Sequence, residues 1–590
     1  MPLIQLDSAC FTYPDATIPA LDDISISIAK GEYLALVGNN GSGKSTLVRL
    51  FNGLKEAGSG KVRIKGLDPS QRASMFAVRS AIALVFQSPV DQIVSSVVEE
   101  DVAFGPSNLG LSREAVERRV ASALDKVGLS ELRKRPTRSL SGGQQQKLAI
   151  AGALAMEPEC LVFDEATSML DPVTKSDIID LMEELAIRGM AVVHVTHDMD
   201  DAARAGRLIA LDGGKIAFDG KPEEFFLPAG SGKAAPAVSM GFGLPKSVEA
   251  AVTFRLKARF GDSVEKLAEL IVSSLSPEKS RGPLPVQGIP TAAVPIFSFK
   301  NASFSYLRGT AGEVKALEGI SLEIPKGRLV AFVGRTGSGK STALQLLNSL
   351  IQPSLGSVFS FGQDTKSAAL DARSLRLRAP LSIQRPESAL FELYAADDVA
   401  FGPKNMGLEG EDLVGRVKTW MDVSGIPYTS FRDRMTRSLS GGEKRKLALA
   451  GVFALESEAV LLDEPSAALD PASQSAVFEL LTGLVLRGRT VVFATHSMEE
   501  AARADLVAVF HEGRLADFGS PWEIFHDRYD PKWGIARPYA VALVMELRAK
   551  GFNVEGRPLT LDALREALGS APGNASVNLP RPDPGSGLGA

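Results

Sequence analysis

Tyr33-Leu34-Ala35-Leu36-Val37 runs without interruption into Gly38-Asn39-Asn40-Gly41-Ser42-Gly43-Lys44-Ser45-Thr46. Five apolar residues in a row read as a strand buried on both faces. The glycine-rich segment that follows suits a loop whose backbone N–H groups wrap a polyphosphate, because side chains at the glycine positions would block that approach. A helix is expected from Lys44, with the positive end of its dipole aimed at the same place. Strand, glycine-rich loop and helix together make the context of a nucleotide phosphate loop. Lys44 is expected at the β- and γ-phosphates, and Ser45, followed by Thr46, on Mg²⁺.

The whole stretch occurs twice. Leu329-Val330-Ala331-Phe332-Val333 leads into Gly334-Arg335-Thr336-Gly337-Ser338-Gly339-Lys340-Ser341-Thr342. Leu140-Ser141-Gly142-Gly143-Gln144 recurs as Leu439-Ser440-Gly441-Gly442-Glu443, and Val162-Phe163-Asp164-Glu165 as Leu461-Leu462-Asp463-Glu464. The two lysines are 296 residues apart, while Ser141/Ser440, Asp164/Asp463 and His197/His496 are each 299 apart. So regular a spacing marks an internal duplication, and both copies keep the full set of motifs. Alternating strands and helices in each copy imply an α/β core around a mainly parallel sheet. Short β-like segments open each half, from Ile4 to Tyr13 and from Phe297 to Tyr306.

Composition narrows the function. The chain has 590 residues and a net charge of −5, so it carries no global basic footprint for nucleic acid. A local basic run, Arg133-Lys134-Arg135, remains. The only cysteines, Cys10 and Cys160, lie in apolar strand-like runs and read as buried thiols. Two cysteines cannot build a four-cysteine zinc or iron–sulfur site, and a reducing compartment fits them. The first residues lack the charged and apolar regions of a signal peptide. No run of about 20 apolar residues is present, so the chain is not expected to span a membrane, though it can dock on a partner that does.

Each remaining motif has a chemical reading and a plainer one. Asp164 and Asp463 end apolar strands, at the sheet edge where ligands bind, and are expected at Mg²⁺. Glu165 and Glu464 follow and are placed to orient or deprotonate an attacking water; the plainer reading is a solvated acidic pair. His197 and His496 close another strand and are read as γ-phosphate contacts, against a structural histidine. Gln87 and Gln384, also at strand ends, would join Mg²⁺ or water to a moving subdomain. Tyr13 and Tyr306 would stack on adenine, or else fill a small strand core. Ser141-Gly142-Gly143 and Ser440-Gly441-Gly442 each precede a helical stretch, 145–156 and 444–455, and so form a second anion-suited helix N-terminus. One phosphate cluster does not need two such sites from one domain. The economical solution is a head-to-tail sandwich, with Lys44 facing Ser440 across one ATP and Lys340 facing Ser141 across the other.

Taken together, these motifs resemble the ATP-binding cassette (ABC) ATPases over both halves. The resemblance implies that ATP binding closes the sandwich and hydrolysis reopens it, with Asp171 and Asp470 at the interface between halves. A narrower resemblance lies in Asp101-Val102-Ala103-Phe104-Gly105-Pro106 and its counterpart Asp398-Val399-Ala400-Phe401-Gly402-Pro403, each following a glutamine segment. These look like the ATPases of energy-coupling factor importers, of the cobalt/vitamin type. That implies a transmembrane scaffold subunit docking near these segments and a small membrane subunit that captures cargo. The second half departs with Ser388-Ala389 where the first has Asp91-Gln92, with Glu443 for Gln144, and with Pro465 where Ala166 stands.

The fold expected is therefore two tandem ABC-type P-loop domains. Each has a mainly parallel core sheet, an antiparallel β subdomain, a helical subdomain and a C-terminal extension. Residues 1–227 form the first ATPase domain and 228–276 a flexible insert with a helical extension. Residues 277–295 are a Pro-rich linker, 296–530 the second ATPase domain, 531–570 its extension and 571–590 a disordered tail. The function expected is an ATP- and Mg²⁺-dependent energy-coupling subunit, peripheral on the cytoplasmic face of a membrane. The alternatives are the ATPase of an exporter, or a soluble twin-cassette ATPase acting on ribosomes or DNA.

Overall fold

The computed structural model describes residues 2–14, 18–167, 170–228, 234–256, 259–274, 295–310, 313–385, 388–467, 469–552, 554 and 556–568. The expected linker up to residue 294, residues 229–233 of the insert, the last two residues of the second extension (569–570) and the tail 571–590 lie outside the described residues.

Each half is built on a six-stranded sheet. In the first half the order is Ile82–Val85, Cys160–Asp164, Ala191–Val195, Tyr33–Gly38, Arg207–Asp212 and Lys215–Gly220. The first five run parallel and the last is an antiparallel edge. The second half repeats the order with Leu381–Ser382, Ala459–Asp463, Thr490–Ala494, Leu329–Val333, Leu506–His511 and Arg514–Gly519. The phosphate-loop strand is central and fully buried, which is why its sequence is continuously apolar instead of alternating.

Alternation survives in which core each side chain joins. Tyr33, Ala35 and Val37 pack on the helical face, while Leu34 and Leu36 pack towards the small antiparallel sheet. That sheet joins Ile4–Phe11 to Leu21–Ile28 and Ser59–Ile64. The second half divides its core the same way. A helical arm, Val98–Asn108 and Arg113–Lys126, lies between the glutamine segment and the signature serine and packs on the signature helix Gly142–Ala155.

One expectation needs correction. Cys10 is half-buried, and only Cys160 is buried. The strand around Cys10 shifts register against its neighbour between Asp7 and Cys10, and a bulge there breaks the in–out alternation. The helical extension expected within 228–276 is divided, with Lys246–Thr253 and Val264–Ser274 as separate helices. Arg255 and Gly261, with φ of 55° and 83°, turn the chain between them. These helices join Tyr539–Ala549 and Leu561–Ala567 from the other half in a fifth apolar cluster. Among the described residues no helix is long and apolar enough to cross a membrane.

Candidate active sites

Both glycine-rich loops turn into their helices through a left-handed glycine, Gly43 at φ 100° and Gly339 at φ 104°. Only glycine adopts that conformation cheaply. The lysines that follow are buried and curl back into the loops. Lys44 Nζ donates to Gly38 O at 2.7 Å and Asn39 O at 3.1 Å. Lys340 Nζ does the same to Gly334 O at 2.7 Å and Arg335 O at 3.0 Å. Burial pulls both ammonium groups below their ordinary pKa, opposed by the nearby carboxylates.

The carboxylates stand at the ends of their strands. Ser45 Oγ donates to Asp164 Oδ1 at 3.0 Å. Burial, then the charge of Glu165, pushes Asp164 up to about 6, and burial raises Asp463 despite a hydrogen bond from Ser341. A buried hydroxyl–carboxylate pair of this kind is a set of hard oxygen donors that suits Mg²⁺. Glu165 and Glu464 have positive φ, 55° and 52°, a conformation that non-glycine residues adopt at a cost and that clusters at functional sites. His197 Nε2 lies 2.6 Å from Glu165 Oε1, and His496 Nε2 lies 3.1 Å from Glu464 Oε1. Gln87 Nε2 donates to Glu165 Oε2 at 3.0 Å. The plainer reading of a solvated acidic pair does not survive, since Asp164, Asp463 and Glu464 are all buried.

The two sites are not equal. Burial weighs against the charge on Glu165, but the hydrogen bond and charge of His197 and the charge of Lys44 outweigh it and hold the carboxyl below its usual range. At Glu464 burial prevails and pushes the carboxyl up to about 8. In the second half the backbone carbonyl of Gln384 accepts from Arg445 Nη2 at 2.6 Å. Arg445 is a buried arginine on the signature helix, where the first half has Gln146.

Tyr13 and Tyr306 do not fill a core: both rings are exposed. Their hydroxyls pair with Thr46 Oγ1 at 3.0 Å and Thr342 Oγ1 at 3.1 Å, which sets each ring beside the phosphate-loop helix.

The signature serines cap their helices in reciprocal boxes, Ser141 with Gln144 and Ser440 with Glu443. The helices start at Gly142 and Gly441, earlier than the sequence suggested. Each signature segment faces the other half. A Cβ on Gly337 would stand 3.7 Å from Ser141 Cβ, and one on Gly142 would stand 3.8 Å from Thr336 Cγ2. On the other side a Cβ on Gly442 would collide with the Asn40 amide. Asp171 Oδ1 lies 3.8 Å from Arg335 Nε, and Asp470 acts on Lys44 as Asp171 does on Lys340. Asp171 and Asp470 also cap the helices Pro172–Ile187 and Pro471–Leu486.

A cavity of about 330 Å³ opens at this seam, lined by Ser141, Gln144, Asp171, Arg335, Gly337 and Ser338 among others. Asn40 Nδ2, Ser42 Oγ, Thr336 Oγ1 and Ser338 Oγ are buried with no hydrogen-bond partner among the described residues. Buried polar atoms normally have one, and the oxygens of a polyphosphate could supply it. The basic run noted in the sequence is partly neutralised, since Arg133 Nε donates to Glu99 Oε2 at 2.7 Å.

Sequence reasoning missed Arg445 and a buried cluster beside the first site. There His194 meets Tyr33 and Thr167, and Lys175 pairs with Asp198 and Asp201. A histidine inside Ala191–Val195 carried a signal, because a polar residue in a fully buried strand needs partners.

The family model described as ABC transporter matches residues 21–168 and 317–467. An ABC transporter ATP-binding protein of Methanosarcina mazei is 32% identical over 586 residues, covering 96% of this chain and 97% of that protein. One of Bifidobacterium longum is 36% identical over 512 residues, or 83% of this chain; the match spans 63% of that relative's length. The Bacillus subtilis protein named as the HMP/thiamine import ATP-binding protein YkoD is 29% identical, covering 89% of this chain and 92% of its own. Among solved structures, cbiO1 of Clostridium perfringens, part of the transporter complex cbiONQ, is 35% identical. It aligns with 38% of this chain and 90% of its own, at a TM-score of 0.36.

Proposed function

This chain belongs to the ABC transporter family as one of its ATP-binding proteins, and from that premise we propose that it holds two ATP molecules head to tail between its halves. Their hydrolysis drives an importer of the energy-coupling factor type, whose cargo is a vitamin or a transition metal ion.

The seam carries the first part of the reading. Ser141 stands against the Gly337 loop and Gly442 against Asn40, so each ATP would take its phosphate loop from one half and its signature helix from the other. Lys44 and Lys340 leave the carbonyls they now hold for the β- and γ-phosphates. The unpartnered amide and hydroxyls of both loops hydrogen-bond the phosphate oxygens. Tyr13 and Tyr306 stack on adenine. Ser45 with Asp164, and Ser341 with Asp463, would hold Mg²⁺, with Gln87 and Gln384 nearby; when bound the ion neutralises charge on the β- and γ-oxygens. Glu165 orients the attacking water and accepts its proton, Glu464 does the same in its ionised form, and His197 and His496 fix those carboxylates and contact the γ-phosphate.

The importer reading rests on different support. Beyond each glutamine the arm exposes apolar side chains: Val90, Val94 and Phe104 in the first half, and Phe391, Leu393 and Phe401 in the second. Exposed apolar patches of this kind mark interaction sites, and a membrane scaffold subunit is the partner proposed. The Bacillus relative is named for thiamine import. The chain would then sit peripherally on the cytoplasmic face. Affinity purification from native membranes in mild detergent, followed by mass spectrometry, tests this. A polytopic scaffold with a small hydrophobic protein supports the importer. A polytopic subunit that moves substrate outwards points to an exporter, and ribosomal or DNA-bound partners overturn the transport reading.

A further inference from the structure

The two halves meet a second time, away from the phosphate loops. Lys246 opens the helix Lys246–Thr253 in the C-terminal extension of the first half, its tail, and residues 531–568 form the tail of the second. The Lys246 backbone N–H donates to Asp200 Oδ1 at 2.8 Å, and its Nζ lies 3.0 Å from Glu499 Oε1 in the other half. Asp200 is three residues past His197, and Glu499 three past His496. Glu499 Oε1 also accepts the N–H of Tyr539 at 3.1 Å. Tyr539 opens the second tail's helix as Lys246 opens the first, and each follows a proline. Each tail therefore docks by a backbone N–H on the turn behind its own histidine. Of the two docking residues, Lys246 sends a cation across the seam.

Those turns are stiffly joined to the histidines. Asp198 accepts from the N–H groups of Asp200 at 2.9 Å and Asp201 at 3.3 Å, capping Met199–Ala202. Ser497 caps Met498–Ala501 through the Glu500 N–H at 3.3 Å. Moving Asp200 or Glu499 therefore moves His197 or His496, each within 3.1 Å of its glutamate. The surroundings are acidic. Burial and neighbouring carboxylates raise both Asp200 and Glu249, and Lys246 opposes the rise at each.

Resting on the two-site reading above, we propose that Lys246 is a positioning residue that ties the two histidine turns into one frame, so that the state of one ATP site is felt at the other. The sites would share one mechanical element at the hinge end of the sandwich, in addition to the nucleotides at its mouth. A coupling claim needs such a shared element, biased from both sites. Without Lys246 the turns face each other as unneutralised carboxylates and move independently.

The test uses the full chain. ATP hydrolysis is measured against ATP concentration for the unaltered protein and for Lys246→Met, Lys246→Arg and Glu499→Gln, with thermal unfolding recorded for each. The unaltered chain is expected to show a Hill coefficient approaching the number of sites, about 2. Lys246→Met and Glu499→Gln should each lower it measurably towards 1, and their combination should do no more than either alone. Lys246→Arg should retain it. In a Glu464→Gln background, Lys246→Met should raise the residual turnover of the first site several-fold. If Lys246→Met does not fold, Glu499→Gln carries the same test from the other half. An unchanged Hill coefficient in a folded variant, or a coefficient of 1 in the unaltered chain, overturns the coupling and leaves the ATPase reading intact. No hydrolysis by the unaltered chain overturns both.

Discussion

Glu165 and Glu464 hold the same place in the two halves but not the same charge environment. Both sit at positive φ with a histidine alongside. Removing one positioned group of this kind typically costs on the order of 10²–10³ in rate. Glu165→Gln and Glu464→Gln are each expected to lose that factor at their own site, read as steady-state phosphate release. Full activity in the double variant would sink the catalytic assignment. His194 supports a second expectation, on stability. Burial, then the charge of Lys175, lowers it from 6.5 to about 3. The folded chain keeps this imidazole neutral while the unfolded chain protonates it first, so the unfolded state binds more protons between those values. The stability that depends on neutral His194 is therefore complete above about 6.5 and is lost as pH falls towards 3. Denaturant titrations at pH 7.5 and 5.5 should show a smaller loss for His194→Gln than for the unaltered chain.

Each signature helix begins at a serine with a reciprocal capping box. Replacing an N-cap serine with alanine costs about 1 kcal/mol of stability. Ser141→Ala should show that loss in denaturant unfolding and also weaken ATP binding at the Lys340 site, because Ser141 faces the Gly337 loop. Ser440→Ala should weaken binding at the Lys44 site instead. Pairing each serine variant with Lys44→Ala or Lys340→Ala separates the two sites in a nucleotide-binding titration. Weakened binding at the lysine of the serine's own half would contradict the crossed arrangement.

Across the whole molecule the halves touch at the seam and at the tails. At the seam Gly442 lies so close to the Asn40 amide that a methyl group cannot fit without a shift. Gly442→Ala should hinder closure and reduce hydrolysis, and adding Asn40→Gly should restore part of the closure by making room. Closure can be followed by small-angle scattering with ATP in a Glu165→Gln/Glu464→Gln background. At the tails, Leu267 and Ile271 pack with Leu543, Val544 and Leu547 in a core shared by both halves. A buried leucine cut to alanine typically costs about 2–5 kcal/mol. Leu543→Ala should lower stability by that amount and expose the tail helices to protease before the ATPase cores. Simultaneous loss of cores and tails would show that the tail cluster does not unfold as a separate unit.

The linear chain by itself determined the duplication, the phosphate loops and the order of motifs. Each of these is a local pattern: an apolar run for a doubly covered strand, glycines where backbone must approach phosphate, and a capping serine before a helix. The chain even implied the crossed sandwich, because two anion-suited helix starts per half exceed what one phosphate cluster needs. Only the tertiary structure decided the rest, and those features depend on distance in space. Lys246 and Glu499 are 253 residues apart in sequence yet 3.0 Å apart at the seam. The helix break at Arg255 came from a left-handed turn at a residue with no special propensity for one. The unequal carboxyls of Glu165 and Glu464 arise from how far each is desolvated and which charges surround it. The Asp-Glu pair shared by the two halves carries no trace of that difference, because burial is a property of the packed molecule and not of the segment.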